Sequence, residues 1–234
     1  MDHSQQDAAK RAVGEAAARL VQDGMRLGLG TGSTTAYAIE AIGRRVREEG
    51  LAVVGVPTSF AAEQRARSFG IPLATLDDLD ALDLALDGAD EVDPGFNMIK
   101  GGGAAHTREK IVAGQALRFV ALVDDSKLVD RLGATRAVPV EVLPMALTPV
   151  SRALKRLGAE PVLRMAVRKD GPVVTDQGMW IVDARFPPIE DPAALAVELQ
   201  AIPGVLEHGL FIGMADEVLV ATADGSVRSI SPNT

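Results

Sequence analysis

Four short apolar runs, each followed by a small-residue or acidic turn, set the architecture of the N-terminal half. They are MRLGLG (25–30), LAVVGVP (51–57), LDLALDG (82–88) and RFVALVD (118–124). Helical patterns separate them. Val13, Ala17, Leu20 and Val21 share one helical face, which Gly24 ends. Ser33 or Thr34 can cap a second helix reaching about Glu49, with Gly50 beyond it. Ser59 can cap a third that ends at Gly70, and a fourth spans about 105–117. Strand–helix–strand repetition without tight hairpins argues a doubly wound, mostly parallel sheet of Rossmann-like α/β class.

The grammar changes after about Leu132. VPVEVLP (138–144) reads as a strand, Thr148-Pro149 as a helix start and 161–176 as a hairpin turning at Lys169-Asp170-Gly171. MWIVDARF (179–186) is a further strand, with a helix from Pro192 to about Ala201. The expectation is therefore a large domain of 1–132 plus 207–234 and a smaller α+β domain of 133–206. The tail has strand character and is expected to return to the first sheet.

Composition excludes several function classes. There are no cysteines, which removes thiolate nucleophiles, disulfides and Cys-ligated zinc. The net charge of −8 is the wrong sign for nucleic acid or an anionic membrane. Aromatics at 3% are too few for a base-stacking surface. No stretch reaches the roughly 18 apolar residues of a membrane span. The polar start, MDHSQQDAAKR, carries no signal-peptide pattern. The expected location is the cytoplasm. His3, His106 and His208 are scattered without metal-ligand spacing.

In open α/β sheets ligands bind at the carboxyl ends of the strands, and several polar segments sit there. GLGTGSTT (28–35) offers backbone N–H groups, the hydroxyls of Thr31, Ser33 and Thr34, and a helix start. It reads as an anion loop or as a tight strand–helix turn. It is neither a dinucleotide fingerprint nor a Walker A loop. DGADEVDP (87–94) places Asp87 and Asp90 at a strand end, suited to sugar hydroxyls, a metal or proton transfer, while Asp93 reads as a turn. KGGGAAHTREK (100–110) joins a cation, a glycine triplet and Glu109. A carboxylate base and an ammonium group are the parts needed to take a proton from carbon beside a carbonyl. On physical grounds alone the reading of Glu109 as a helix-start charge stabilised by the dipole is slightly favoured. His106 is expected as a surface or pocket-wall residue. VALVDDSK (120–127) ends on Lys127, which can reach a phosphate.

TGST (31–34), DGAD (87–90), KGGG (100–103), TREK (107–110) and the D-x-S-K ending at Lys127, in that order, resemble the ribose-5-phosphate isomerase family of type A. VPVEVLPMA and AIPGVLEHGLF extend the resemblance over nearly the whole chain. It implies interconversion of D-ribose 5-phosphate and D-ribulose 5-phosphate through an enediol(ate), in the non-oxidative pentose phosphate pathway, without metal or cofactor. By matching position, it implies Glu109 as the base moving the proton between C1 and C2. Lys100 would stabilise the enediolate, and Asp87 would help in ring opening. Thr31, Gly32, Ser33 and Thr34, with Asp87, Gly88, Ala89 and Asp90, would contact substrate, as would Lys100, Gly101, Gly102, Gly103 and Lys127. A homodimer or tetramer is implied as well. Two rivals stay open: a sibling sugar-phosphate deaminase or lactonase, and a sugar-phosphate sensor module that binds without turnover.

Overall fold

The structure, a computed structural model, describes residues 3–232. By contact density the described chain forms two compact units. One holds residues up to 89, 108–127 and from 214 onward; the other holds 90–107 and 128–213. The division thus falls at other points than 132/133 and 206/207.

The first unit opens with α1 (His3–Ala18), β1 (Arg26–Leu29), α2 (Ser33–Glu49), β2 (Val54–Pro57), α3 (Phe60–Ser68) and β3 (Leu84–Gly88). In the second unit come β4 (Glu91–Val92) and β5 (Met98–Ile99), and α4 (His106–Gly114) follows. β6 (Phe119–Asp124) returns to the first sheet. Next are β7 (Val138–Val142), α5 (Leu147–Arg156), β8 (Glu160–Leu163), β9 (Trp180–Arg185), α6 (Pro192–Gln200), β10 (Val205–His208) and β11 (Leu210–Phe211). The chain closes with β12 (Glu217–Ala221) and β13 (Val227–Ile230).

The six-stranded sheet of the first unit has the order β13-β12-β6-β3-β1-β2. β12, β6, β3, β1 and β2 pair in parallel, and only β13 runs antiparallel. Alternation along β1 separates the two faces. Leu27 and Leu29 enter a core with Val13 and Ala17 of α1 and Ile39 and Ile42 of α2. Full burial of each leucine contributes about 1.5–3 kcal/mol. Gly28 points to the other face, where an added Cβ would lie 2.6 Å from a methyl of Val112 on α4. Helices thus cover both faces, as a parallel sheet requires.

α1 ends at Ala18, short of the Gly24 stop, and Leu20 and Val21 follow it in a turn. The N-terminal residue of α2 is capped by neither Ser33 nor Thr34. Gly32 takes that place with φ 122°, and no side chain caps the helix. The turn needs a conformation that only glycine adopts readily, so the hydroxyl residues fall inside the helix. At the other end Gly50 closes α2 in the left-handed region, as expected.

The second unit contains an antiparallel sheet, β10-β7-β9-β8, and a small antiparallel sheet, β11-β5-β4. Val138, Val140, Val142, Val182 and Ala184 form its core with Val150 and Leu154 of α5 and Leu199 of α6. The hairpin expected over 161–176 is only partly formed. β8 pairs with β9 instead, and 164–173 closes on itself through one isolated bridge, Met165 to Pro172. Pro172 has no N–H to extend a ladder there. The tail divides: β10 and β11 belong to the second unit's sheets, while β12 and β13 extend the first sheet. Among the described residues no helix is long and apolar enough to cross a membrane.

Candidate active site

In the first unit, β1 is flanked by β2 on one side and β3 on the other. Strand order reverses there, and the loops leaving β1 and β3 open a crevice at their carboxyl ends. The loop between β1 and α2 is residues 30–32, and Asp87 is the next-to-last residue of β3. Asp87 is 4% exposed. Its Oδ1 accepts from Gly88 N at 2.7 Å, Thr31 N at 3.0 Å and Thr35 Oγ1 at 3.4 Å. These donors fix the orientation of the side chain at the end of β3. Gly30 is required beside it, since a Cβ would stand 2.2 Å from Asp87 Oδ1.

Thr31 is anchored from the other side by two residues that motif reading passed over. Its hydroxyl lies 2.8 Å from Thr58 Oγ1 and donates to Ser59 Oγ at 2.7 Å. Ser59 also accepts from Ala62 N and so caps α3, as the sequence led us to expect. Both residues follow β2 directly, so their strand-end position was the available signal. Gly32 and Ser33 are exposed and Thr34 half-buried at the start of α2, whose first turn lacks a side-chain cap. Such a terminus presents N–H groups and a positive dipole end.

Glu109 stands in the first turn of α4 and is 4% exposed. It lines one small pocket together with Asp87, Gly30 and Thr58. Two buried acids therefore border one narrow packing gap, and Glu109 is not a solvated helix-end charge. Lys127 sits half-buried in the turn after β6, the strand next to β3. It makes no hydrogen bond or ion pair among the described residues.

The second unit carries the remaining motif residues. Lys100 follows β5 and is 2% exposed. Its backbone N–H donates to Gly209 O at 2.9 Å, and its ammonium lies 5.3 Å from the ring centre of Phe211. An apolar, aromatic setting keeps such a cation fixed and poorly hydrated. Asp90 donates its N–H to Ile99 O and accepts from Gly102 N at 2.8 Å. The glycine triplet is thus bent back onto DGAD. Gly101 has φ 103°, and a Cβ on it would come within 2.6 Å of His106 Nδ1. His106 is wholly buried, not at the surface; its ring fills the space that the missing Cβ leaves.

Three supports on this unit had no motif to announce them. Arg164 donates through Nη1 to Gly101 O at 2.9 Å and Gly102 O at 3.2 Å, while Asp183 holds its guanidinium. The fully buried Glu91 accepts from the N–H groups of Gly133, Thr135 and Arg136 and from the Thr135 hydroxyl. The fully buried Glu141 accepts from Thr107 and Thr175. Among the described residues no cluster of three or more His, Asp or Glu side chains has a metal-binding arrangement.

Comparison with known proteins gives a consistent result. The family model described as ribose 5-phosphate isomerase A (phosphoriboisomerase A) matches residues 54–225. A ribose-5-phosphate isomerase A of Thermosynechococcus vestitus is 61% identical, covering 90% of each chain. That of Haloarcula marismortui is 60% identical, covering 96% of this chain and 97% of its own. Among solved structures, ribose 5-phosphate isomerase A of Methanocaldococcus jannaschii superposes with TM-score 0.92 at 49% identity, over 95% of this chain and 98% of its own. A D-ribose-5-phosphate isomerase solved in complex with phospho-erythronic acid gives TM-score 0.93 at 47% identity, over 95% and 97%. On this evidence the chain belongs to the ribose 5-phosphate isomerase A family.

Proposed function

We propose that this chain interconverts D-ribose 5-phosphate and D-ribulose 5-phosphate by proton transfer between C1 and C2. The observation that carries the reading is the buried carboxyl group of Glu109, which borders one small packing gap together with Asp87. The opened aldose has a carbonyl at C1 and an acidic C–H at C2. Glu109 takes the C2 proton as its carboxylate becomes a carboxylic acid. The electron pair moves to form the C1–C2 double bond, and negative charge develops on O1. Lys100, the cation that the family resemblance assigns to that oxygen, stabilises the charge more than the neutral carbonyl, which is what lowers the barrier. Glu109 returns the proton to C1, and the O2 proton passes to O1 as the C2 ketone forms.

Asp87 assists ring opening by taking the anomeric hydroxyl proton and passing it to the ring oxygen as the C1–O4 bond breaks and the C1 carbonyl forms. Its three N–H and hydroxyl donors hold the carboxyl group in place for that task. Thr31 to Thr34, Gly88, Ala89, Asp90 and Gly101 to Gly103 hold the sugar through hydroxyls, carboxylate and backbone, and Lys127 adds a cation for the phosphate. The family resemblance implies a homo-oligomer, and a chain without cysteine is compatible with the cytoplasm.

The test is NMR of the protein with ribose 5-phosphate in D2O with EDTA present. Ribulose 5-phosphate forms with the wild type and not with Glu109→Gln. Absence of ketose from folded, substrate-saturated wild type would refute the reading; release of ammonia or lactone hydrolysis from the matching substrates would favour a sibling enzyme.

A further inference from the structure

The second unit contains a cleft lined by Asp90, Gly102, Thr135, Arg136, Arg164 and Arg185, among others, enclosing about 670 Å³ of space open to solvent. Three guanidinium groups and the carboxylates of Asp90 and Asp183 line it. Both carboxylates are engaged: Asp183 holds Arg164, and Asp90 accepts from Gly102 N. Arg136 and Arg185 have no ion pair or side-chain hydrogen bond among the described residues. In a chain of net charge −8, two uncompensated cations on one concave surface repel each other, and an anion between them relieves that repulsion.

The cleft is also built rigidly. Arg136 ends the 133–136 loop, which buried Glu91 fixes through four hydrogen bonds. Arg185 and Asp183 stand two apart on β9 and so share one face of a sheet interior strand. Arg164, ion-paired with Asp183, is only 17% exposed at its side chain. Planar guanidinium groups held on fixed backbone suit a phosphate group geometrically.

We propose that this cleft is a second anion site, for a small phosphate-bearing metabolite, with Arg136 and Arg185 as its clamps and Arg164 as its floor. Arg164 also bonds the Gly101 and Gly102 carbonyls. An occupant that draws the Arg164 guanidinium toward itself therefore changes the support of the glycine triplet. None of the arginines belongs to the motifs assigned to the sugar.

The experiment follows the Nε–Hε signals of arginine in 15N-labelled protein, titrated with inorganic phosphate at ionic strength held constant with chloride. Arg136, Arg164 and Arg185 are expected to shift along one saturable curve in the millimolar range, while exposed Arg168 stays in place. Arg136→Ala/Arg185→Ala should abolish the Arg164 shift. The proposal is overturned if Arg136 and Arg185 only track Arg168, or if Arg164 shifts equally in the double variant. A second arm rests on the isomerase reading: the double variant should keep kcat and KM within about twofold of wild type. A KM raised about tenfold would make the cleft part of the substrate site and overturn a separate one. If the wild type shows no turnover, the isomerase reading fails, and the NMR titration still decides the site.

Discussion

Thr107 donates its hydroxyl hydrogen to the carboxylate of Glu141, a fully buried acid in the middle of β7. Thr175 satisfies the other oxygen at 2.6 Å. The arrangement joins the start of α4 to a sheet strand 34 residues away. Thr107→Val keeps the shape and leaves one buried carboxylate oxygen without that donor, which costs about 1–3 kcal/mol. Thr107→Ser keeps the donor and should cost far less. Urea unfolding checks both, and equal midpoints for Val and Ser would contradict the assignment. Because Thr107 lies two residues before Glu109 on α4, Thr107→Val is also expected to lower kcat more than it raises KM.

Gly30 and Asp87 admit no atom between them. A Cβ at residue 30 would lie 2.2 Å from Oδ1 and 2.3 Å from Cγ of Asp87, so the carboxylate must move. Gly30→Ala is expected to lower kcat/KM about a hundredfold, the scale of a 1 Å misplacement in an active site. The fold should survive, since the clash is with a side chain rather than backbone. Steady-state kinetics beside a circular-dichroism melt separates the two effects; an unchanged kcat/KM would show that Asp87 needs no such placement.

What the sequence revealed, and what it hid, divides by distance along the chain. TGST, DGAD, KGGG and TREK carry their chemistry in contiguous residues, so their strand-end positions could be read directly. The first-sheet strands were legible for the same reason: each is a local apolar run. Arg164 was not, because what matters is its reach across 63 residues to Gly101 O. No local motif marks Glu91 or Glu141, and only their partners, 34 to 45 residues away, show why carboxylates stand there. The 161–176 segment was misjudged because a local turn signal outweighed a better partner: β8 finds its ladder on β9. His106 was misplaced because nothing in its neighbours indicates that Gly101 opens room for its ring.

Arg26 and Asp83 make an acid-sensitive tie between the starts of β1 and β3. Asp83 accepts from Arg26 N at 2.7 Å, Nε at 3.1 Å and Nη2 at 2.9 Å. The side-chain hydrogen bond from Arg26, then its backbone N–H, hold the Asp83 carboxyl below its ordinary value of 3.8. A folded-state pKa below the unfolded one contributes stability above the unfolded value, and that contribution is lost as pH falls through the folded one. Asp83→Asn should therefore melt below wild type at neutral pH, with the gap constant down to about pH 5 and closing below about pH 4. Melting curves at several pH values check this, and a gap that persisted at pH 2 would mean the loss is not electrostatic.

Glu109 and Lys100 should fail in different ways. Glu109→Gln keeps size and hydrogen bonding but cannot take a proton, so kcat should fall at least about a hundredfold with KM little changed. Lys100→Ala removes a cation whose charge matters most when the enediolate forms. It should lower kcat by about 10² to 10³. It should also destabilise the fold slightly, because the lysine stem packs in a buried site beside Phe211. Lys100→Arg tests position against charge. The guanidinium is broader and delocalised, so it should restore stability before it restores rate. If Lys100→Arg recovered full turnover, the ammonium would be acting as a diffuse field rather than as a placed donor to O1.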